Sequence, residues 1–566
     1  MREWVFDFET NTTEETCGIN PVWAWGVAAI DDPEGTFVYG ISIGSFIEFL
    51  SNHDGRFWAH NMGFDGKFVL DRIMKDGFTW TPNKPSQFEF STLIDRMGKF
   101  YSVDINFGTS KVKLADSFKK IPMPLAQVAK AYGLDMSKGD IDYNIYREPG
   151  HELNEEELDY LRRDVLILAK ALSVRLEMGT KLTTGSDCLA LYKDLCGGEQ
   201  LFKQRFPRLN PLIDGHIRKA YRGGFVYCNP IHQNKVVGEG ISLDVNSMYP
   251  AMMHYKPMPW GIPDFQKGRP IEKPTMPLWV GRVTFDFKLK DGAIPAIMIK
   301  DDRNYNPREY LTNSVTPVTT WVCSVDWALY NDLYDITVYE WFGCYYFKDI
   351  TGVFDDYIDD GIEGKNNASS TAERTNYKFQ LNNLYGKFGQ KIKTRSKIPF
   401  LEDDRVKYRE SSEEERDPVY IPVAVFVTAY ARDYLIRTAL EFGDRYLYSD
   451  TDSIKALGHD VPTDIKVDPK KLGYWDIEER FTKAIFIRPK TYATISDGEA
   501  HFKCAGMTDG LKKVMEFDDF RVGFTTDIKL DPNVKEKYLD ENIQKLVPVV
   551  VPGGVILEPR PFTIRK

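Results

Sequence analysis

A multidomain protein of mixed α/β and α+β class is predicted by three features. The chain is 566 residues long, it lacks repeats and low-complexity tracts, and short apolar strands alternate in it with amphipathic helices. It is 42% apolar, 28% charged and 13% aromatic, which excludes disordered and fibrous classes. At about 100 to 200 residues per domain, the length corresponds to about three to five domains. No transmembrane helix is expected: a span needs about 20 apolar residues, and Leu546 to Leu557 is broken by Pro548, Pro552, Gly553 and Gly554. Arg2 and Glu3 carry charge where a secretory signal is apolar, so the expected location is the cytoplasm of the producing cell. The seven cysteines (17, 188, 196, 228, 323, 344, 504) include no Cys-x-x-Cys pair, which argues against a disulfide framework and a structural zinc site. With eight scattered histidines, carboxylates remain as ligands for a catalytic metal.

In chain order, Trp4 to Phe8 reads as a strand, and Ile94 to Ile105 and Leu114 to Phe118 add strand pieces to a first α/β unit of about 180 residues. Asn154 and Glu157 form a capping box before a helix whose stripe is Leu158, Leu161, Val165, Leu168 and Leu172. From 256 to about 350 the alternation predicts an inserted, mostly β module. Ser370 and Glu373 predict a second capping box, on a helix over 369–385. The stretch 387–417, basic and then acidic, reads as an exposed excursion. A helix near Phe426 to Phe442 leads into a strand, acidic turn and strand over 446–457. Leu530 to Leu546 is expected to be a charged helical insertion, and Val549 to Leu557 a hairpin turning at Gly553 and Gly554.

Net charge is −10, from 73 basic and 83 acidic residues, and alone it argues weakly against a polyanionic partner. Net charge is a poor guide to local fields, however: Lys387, Lys391, Lys393, Arg395 and Lys397 have no acid between them, and Lys111, Lys113, Lys119 and Lys120 form a second basic group, with a solvated face as the ordinary explanation of any single charge run. Two-metal phosphoryl transfer needs carboxylates brought to one point from different parts of a fold. Asp7 and Glu9 share one face of their strand, which is either the solvent side or a cation site. Asp244 ends the apolar piece Ile241–Leu243, and Asp450 and Asp452 lie in the turn between two strands, where capping of backbone amides is the competing explanation. Arg374, Lys378, Asn382 and Tyr385 fall within about 80° on one helix face, a stripe that can hold a triphosphate, a sugar and a base; a solvated face is the competing explanation, which fits Arg374 and Lys378 well but Tyr385 poorly.

These motifs together resemble the family B DNA polymerases, and among them the protein-primed, strand-displacing replicases of small tailed phages with terminal-protein-capped linear genomes. Asp244-x-x-Ser247-x-Tyr249-Pro250, Lys378-x-x-x-Asn382-x-x-Tyr385-Gly386 and Tyr448-Ser-Asp450-Thr-Asp452-Ser match the three polymerase motifs. Lys490-Thr-Tyr492 resembles the primer-holding motif, Thr428 to Arg432 a template-contacting motif, and Tyr221-Arg-Gly223-Gly224 the linker that coordinates two activities. Asp7-Phe-Glu9, His60-Asn61-x-x-Phe64-Asp65 and Tyr160-x-x-x-Asp164 resemble the proofreading exonuclease motifs.

The resemblance implies an RNase H-like 3′–5′ exonuclease domain (1–184) and a right-hand polymerase. The latter comprises palm (185–255 and 421–522), fingers (353–389) and thumb (523–566), with insertions at 256–352, docking a terminal protein, and 390–420, enclosing DNA. It further implies two Mg²⁺ per site, with Mn²⁺ as an alternative. Asp244, Val245 and Asp452 would hold metal at one site, with Asp450 in support, and Asp7, Glu9, Asp65 and Asp164 at the other, where Tyr160 would orient water. Tyr249, Lys378, Asn382 and Tyr385 would bind the nucleotide. An ungapped count back from Lys378 lands on Asn366, which makes neighbouring Lys365 the candidate second triphosphate lysine and leaves another lysine as the alternative. Asn61, Phe64, Ser117 and Phe118 would hold a frayed 3′ end. Implied partners are primer-template and single-stranded DNA, deoxynucleoside triphosphates and a terminal protein, for a monomer in the infected cell's cytoplasm. A nuclease alone would not need the second acidic set, and a non-catalytic single-strand binding module would need neither.

Overall fold

The computed structural model describes residues 1–11, 22–139, 141–142, 145–148, 150–300 and 303–565; Cys17 falls outside them. The amino-terminal unit is an eight-stranded sheet. Its centre is three parallel strands, Glu3–Thr10, Gly55–Ala59 and Lys111–Asp116. Val22–Ala29 and Val38–Gly40 extend one edge, and Phe100–Asn106, Glu89–Ile94 and Thr79–Trp80 the other. The pleat of the first strand sorts its side chains: Trp4, Phe6 and Phe8 enter the core beneath helices Ile43–Ser51 and Asp65–Lys75, while Val5 enters the opposite one. Asp7 and Glu9 share Val5's face, which helix Glu155–Glu177 covers, so this is not the solvent side. The predicted capping box starts that helix: Asn154 Oδ1 accepts from the Glu157 amide at 2.9 Å, and the Glu157 carboxylate accepts from the Asn154 amide at 3.2 Å.

The second half is built on a five-stranded sheet ordered Trp475–Phe481, Gly240–Val245, Ser453–Leu457, Tyr446–Asp450 and Val226–Cys228. Helices Met248–Tyr255 and Ile421–Leu440 pack together beside it, in the largest core. The expected β module is present as a four-stranded sheet of Met258–Gln266, Tyr334–Ile350, Leu278–Leu289 and Val318–Cys323, with helix Ser324–Leu333. Helices Asp355–Asn367 and Thr371–Phe388 form a neighbouring pair. Residues 393–415 are mostly exposed, as expected, and form a hairpin of Lys397–Glu402 with Arg405–Glu410 enclosed by a short pair of Lys393–Thr394 with Glu414–Glu415.

Two local expectations are corrected. Ser370 caps its helix through the Glu373 amide, but the Glu373 carboxylate turns back to the amide and hydroxyl of Ser369, so the reciprocal half of the box sits one residue upstream. The Leu530 to Leu546 stretch is not a helix. It holds single 3₁₀ turns at Glu536–Tyr538 and Glu541–Ile543, because Tyr538 is drawn into an apolar cluster, edge-on to Phe524 at 5.1 Å, and Lys545 already starts a strand.

The carboxy-terminal hairpin, Lys545–Val551 with Gly554–Arg560, reaches back to the amino-terminal unit. A Cβ on Gly554 would stand 2.2 Å from the Phe68 ring, so only glycine allows this approach. The Gly553 amide donates to Asp71, and Lys75 bridges Asp71 to Asp404 of the 397–410 hairpin. Two distant hairpins thus meet on helix Asp65–Lys75.

Candidate active sites

Asp7 and Glu9 leave one face of their strand opposite Asp164, one helical turn beyond Tyr160, and oxygens of the three carboxylates lie within 4.8 Å of one another. Asp65 opens helix Asp65–Lys75 beside Asp7 and is 3% exposed. Burial, reinforced by Asp164, pushes Asp7 up to about 7. Burial and then Asp7 hold Glu9 and Asp65 well above the usual carboxylate range, and burial raises Asp164. Asp164 Oδ1 is buried without a hydrogen-bond partner among the described residues. Like charges packed this tightly fit a divalent cation, which would offset their repulsion and fill the free lone pairs.

Sequence reasoning missed Lys138, whose ammonium donates to Asp164 at 2.8 Å and lies 5.3 Å over the Tyr160 ring. It belongs to a loop with no motif of its own, so no spacing signals it. Around this centre Asn61 is exposed in a left-handed conformation (φ 69°), held by its amide on Asp116, another residue the sequence did not single out. Phe64 is half-buried against Phe68, and Phe118 is exposed. Ser117 is fully buried, with its hydroxyl bonded to the Ala59 carbonyl and the His60 ring.

The second centre lies at the end of the five-stranded sheet. Asp244 pairs across the sheet with Ser453, and the Val245 amide donates to the Asp452 carbonyl at 2.8 Å, which ties the turn to the neighbouring strand. Thr451 takes a left-handed conformation (φ 61°) in that turn. Burial, then Asp452 and Glu478, push Asp244 up to about 7; burial, Asp450 and Glu478 raise Asp452. Two half-buried carboxylates sharing their field fit a cation here also. Glu478 and Asp476, on the adjacent strand, were not singled out in the sequence, where they look like ordinary charges of an exposed edge. Asp450 is differently placed: Lys490 Nζ contacts both its oxygens, at 2.7 and 2.8 Å, with the Lys490 amide on the Tyr448 hydroxyl. Tyr492 packs 5.1 Å from Tyr448.

Across the cleft, Arg374, Lys378 and Asn382 are exposed along helix Thr371–Phe388, as the spacing predicts. Lys378 is close enough to Asp244 to oppose its upward shift, and Lys365 joins Arg374 at a shared cavity. Tyr385 packs on Tyr249 with ring centres 4.0 Å apart. Gly224 passes beside them, where a Cβ would stand 2.9 Å from the Tyr249 hydroxyl and 2.8 Å from Thr451. Tyr221 is half-buried and Gly223 exposed.

Thr428 and Arg432, of the expected template-contacting motif, lie in the interior. Thr428 is 1% exposed and returns its hydroxyl to the Ala424 carbonyl. Arg432, 3% exposed, forms a bidentate pair with Asp326 and donates to the carbonyls of Arg222 and Gly223 at 2.8 Å. Both side chains are satisfied by protein partners, and Arg432 thereby fixes the linker, because a buried guanidinium must satisfy all its donors.

A strand-borne Asp facing an Asp-x-Asp turn, with a cationic helix across the cleft, defines a nucleotide polymerase, here joined to a second acidic centre on its own sheet. Comparison with known proteins makes the class specific. The family model for DNA polymerase type B, organellar and viral, matches residues 47–148 and 144–469, and the chain belongs to that family. It is 38% identical to the DNA polymerase of Bacillus phage Nf over 99% of each chain. It is 36% identical to that of Bacillus phage phi29, over 99% of this chain and 98% of the other. The phi29 DNA polymerase structure complexed with primer-template DNA superposes with a TM-score of 0.91 at 35% identity, covering 100% of both chains. The ternary complex with incoming nucleotide substrates gives 0.91 at 36%, also over 100% of both. The fold is therefore that of a family B polymerase with exonuclease and polymerase domains, and the chain is a phage-type DNA polymerase.

Proposed function

We propose that this DNA polymerase copies a linear viral genome from a terminal-protein primer, displaces the non-template strand processively, and proofreads with a 3′–5′ exonuclease. The observation that carries the reading is the pair of separate carboxylate centres, each holding acids above their usual range by burial and mutual repulsion. Asp244, Asp452 and the Val245 backbone would hold metal at one centre, and Asp7, Glu9, Asp65 and Asp164 at the other. Bound divalent ions, Mg²⁺ or Mn²⁺, would acidify the attacking hydroxyl or water and neutralise charge on the phosphate. Lys378 and Lys365 screen the triphosphate, Tyr249 occupies the space of a 2′-hydroxyl, Tyr385 and Asn382 line the new pair, and Tyr160 orients the hydrolytic water. Lys490 and Tyr492 hold the primer; Asn61, Phe64 and Phe118 hold a frayed end.

The solved phi29 complexes with primer-template DNA, incoming nucleotides and single-stranded DNA support the same ligands here. We assign the exonuclease to 1–184, the palm to 185–255 and 421–522, terminal-protein docking to 256–352, fingers to 353–389, DNA enclosure to 390–420 and thumb to 523–566. The protein acts as a monomer in the cytoplasm of the infected cell; no described helix is long and apolar enough to cross a membrane. The test is a primed circular template with Mg²⁺ and four deoxynucleotides. Product longer than one circuit is expected, and EDTA should abolish it. Synthesis that halts at the first duplex overturns strand displacement.

A further inference from the structure

A cavity of about 390 Å³ opens between the two halves of the polymerase centre, lined by Asn246 and Ser247 beyond Asp244, by Lys365, Asn366 and Arg374 of the fingers, and by Lys470 of the palm. It contains three cationic side chains and no carboxylate. Its fingers wall connects electrically to the catalytic carboxylate: Lys365 feels Arg374 and Lys378, and Lys378 in turn acts on Asp244.

Lys470 is fixed from the opposite side. Asp468 Oδ1 accepts from the amides of Lys470 and Lys471 at 2.9 and 3.1 Å, and Asn246 Nδ2 donates to the Asp468 carbonyl at 2.8 Å, so this loop is anchored two residues from Asp244. The next lysine is committed elsewhere, with its ammonium 3.9 Å from Asp468 and 5.3 Å over the Tyr474 ring. Lys470 is exposed and makes no ion pair among the described residues. An acid-free cavity with cations on facing walls suits a polyphosphate rather than a base or sugar.

We propose that Lys470 is a palm-side binding residue for the β- and γ-phosphates of the incoming nucleotide and for the pyrophosphate they become. In the forward step the primer 3′-oxygen bonds to the α-phosphorus, the bond from that phosphorus to the α,β-bridging oxygen breaks with its electron pair leaving on pyrophosphate, and the hydroxyl proton passes to solvent. In reverse, a pyrophosphate oxygen attacks the terminal phosphodiester and regenerates nucleotide and 3′-hydroxyl. Lys470 holds the pyrophosphate unit in both directions while the fingers cations hold its other side. The inference rests on Asp244 and Asp452 forming the nucleotide-addition centre.

The test is exchange of labelled inorganic pyrophosphate into deoxynucleotide on a primer-template, which exonuclease products do not enter. Lys470→Ala should raise the half-saturating pyrophosphate concentration about tenfold, the size expected for one charge-assisted hydrogen bond, and raise KM for nucleotide in the same direction. The maximal rate should stay within about twofold. Lys470→Arg should restore most of the loss, and Lys470→Glu should exceed it. A Lys470→Ala enzyme with wild-type half-saturation for pyrophosphate overturns the inference. Asp452→Ala separates it from the reading beneath: if that variant still exchanges pyrophosphate, the centre itself is misassigned.

Discussion

The two acidic centres solve the same problem in opposite ways. In the amino-terminal centre four carboxylates come from one sheet and two helices of a single packed unit, and among the described residues Lys138 is the lysine that bonds to them. Around Asp244 the acids Asp450, Asp452, Asp476 and Glu478 are less deeply buried, and the opposing charge stands on other elements: Lys490 on Asp450, and Lys365, Arg374 and Lys378 across a cleft. The first draws all its acids from one packed unit. The second sets its acids and its cations on facing walls of a cleft, an arrangement suited to a polyanionic substrate.

The largest expected effects would break this comparison outright. Asp452→Ala should lower nucleotide addition by about a thousandfold while leaving single-strand hydrolysis intact. Asp7→Ala with Glu9→Ala should do the reverse, read as loss of 3′ degradation by an enzyme that still extends primers. Parallel loss of both activities in either variant would mean the centres are not separate.

Next in size is the linker between them. Asp326→Ala strands the Arg432 guanidinium at 3% exposure, and breaking such a buried pair costs about 3–5 kcal/mol, measurable by denaturant unfolding. Because Arg432 also holds the Arg222 and Gly223 carbonyls, the balance of extension to degradation should shift as well. Unchanged stability would remove the linker's anchor.

The smallest effect sharpens the contrast in metal demand. Asp7 sits at about 7 in the folded protein, and Glu9, Asp65 and Asp164 are also raised. Folded values above unfolded ones mean that the unfolded chain has released more protons, so this stability is full below about pH 4 and is lost as pH rises through about 7. In EDTA the melting temperature should therefore fall between about pH 5 and 8, by about 2–4 °C per kcal/mol in a unit of this size. Divalent metal should recover it, and Asp7→Asn with Glu9→Gln should flatten the dependence. A wild-type melting temperature that rises over this range contradicts the shared burial.

Much of this was legible in the residue order. Alternation placed Asp7 and Glu9 on one face, a step of four put Tyr160 and Asp164 on one side of a helix, and helical spacing aligned Arg374, Lys378, Asn382 and Tyr385. What a motif does not reveal is whether its polar residues also serve the interior. Thr428, Arg432 and Ser117 lie in motifs associated with DNA, yet each is buried and bonded to protein. Burial depends on what packs above a residue, and for Arg432 that is Asp326, more than a hundred positions away.

The sequence by itself determined the periodicities, the helix starts and the identity of the carboxylates, because these follow from the steric period of the backbone and from side-chain chemistry. Only the tertiary structure decided that Lys138 approaches Asp164, that Glu478 presses on Asp244 and Asp452, and that Lys470 faces Lys365 across a cavity. Those relations are set by chain crossings between remote segments. The field at a carboxylate is a sum over neighbours in space, whatever their distance along the chain.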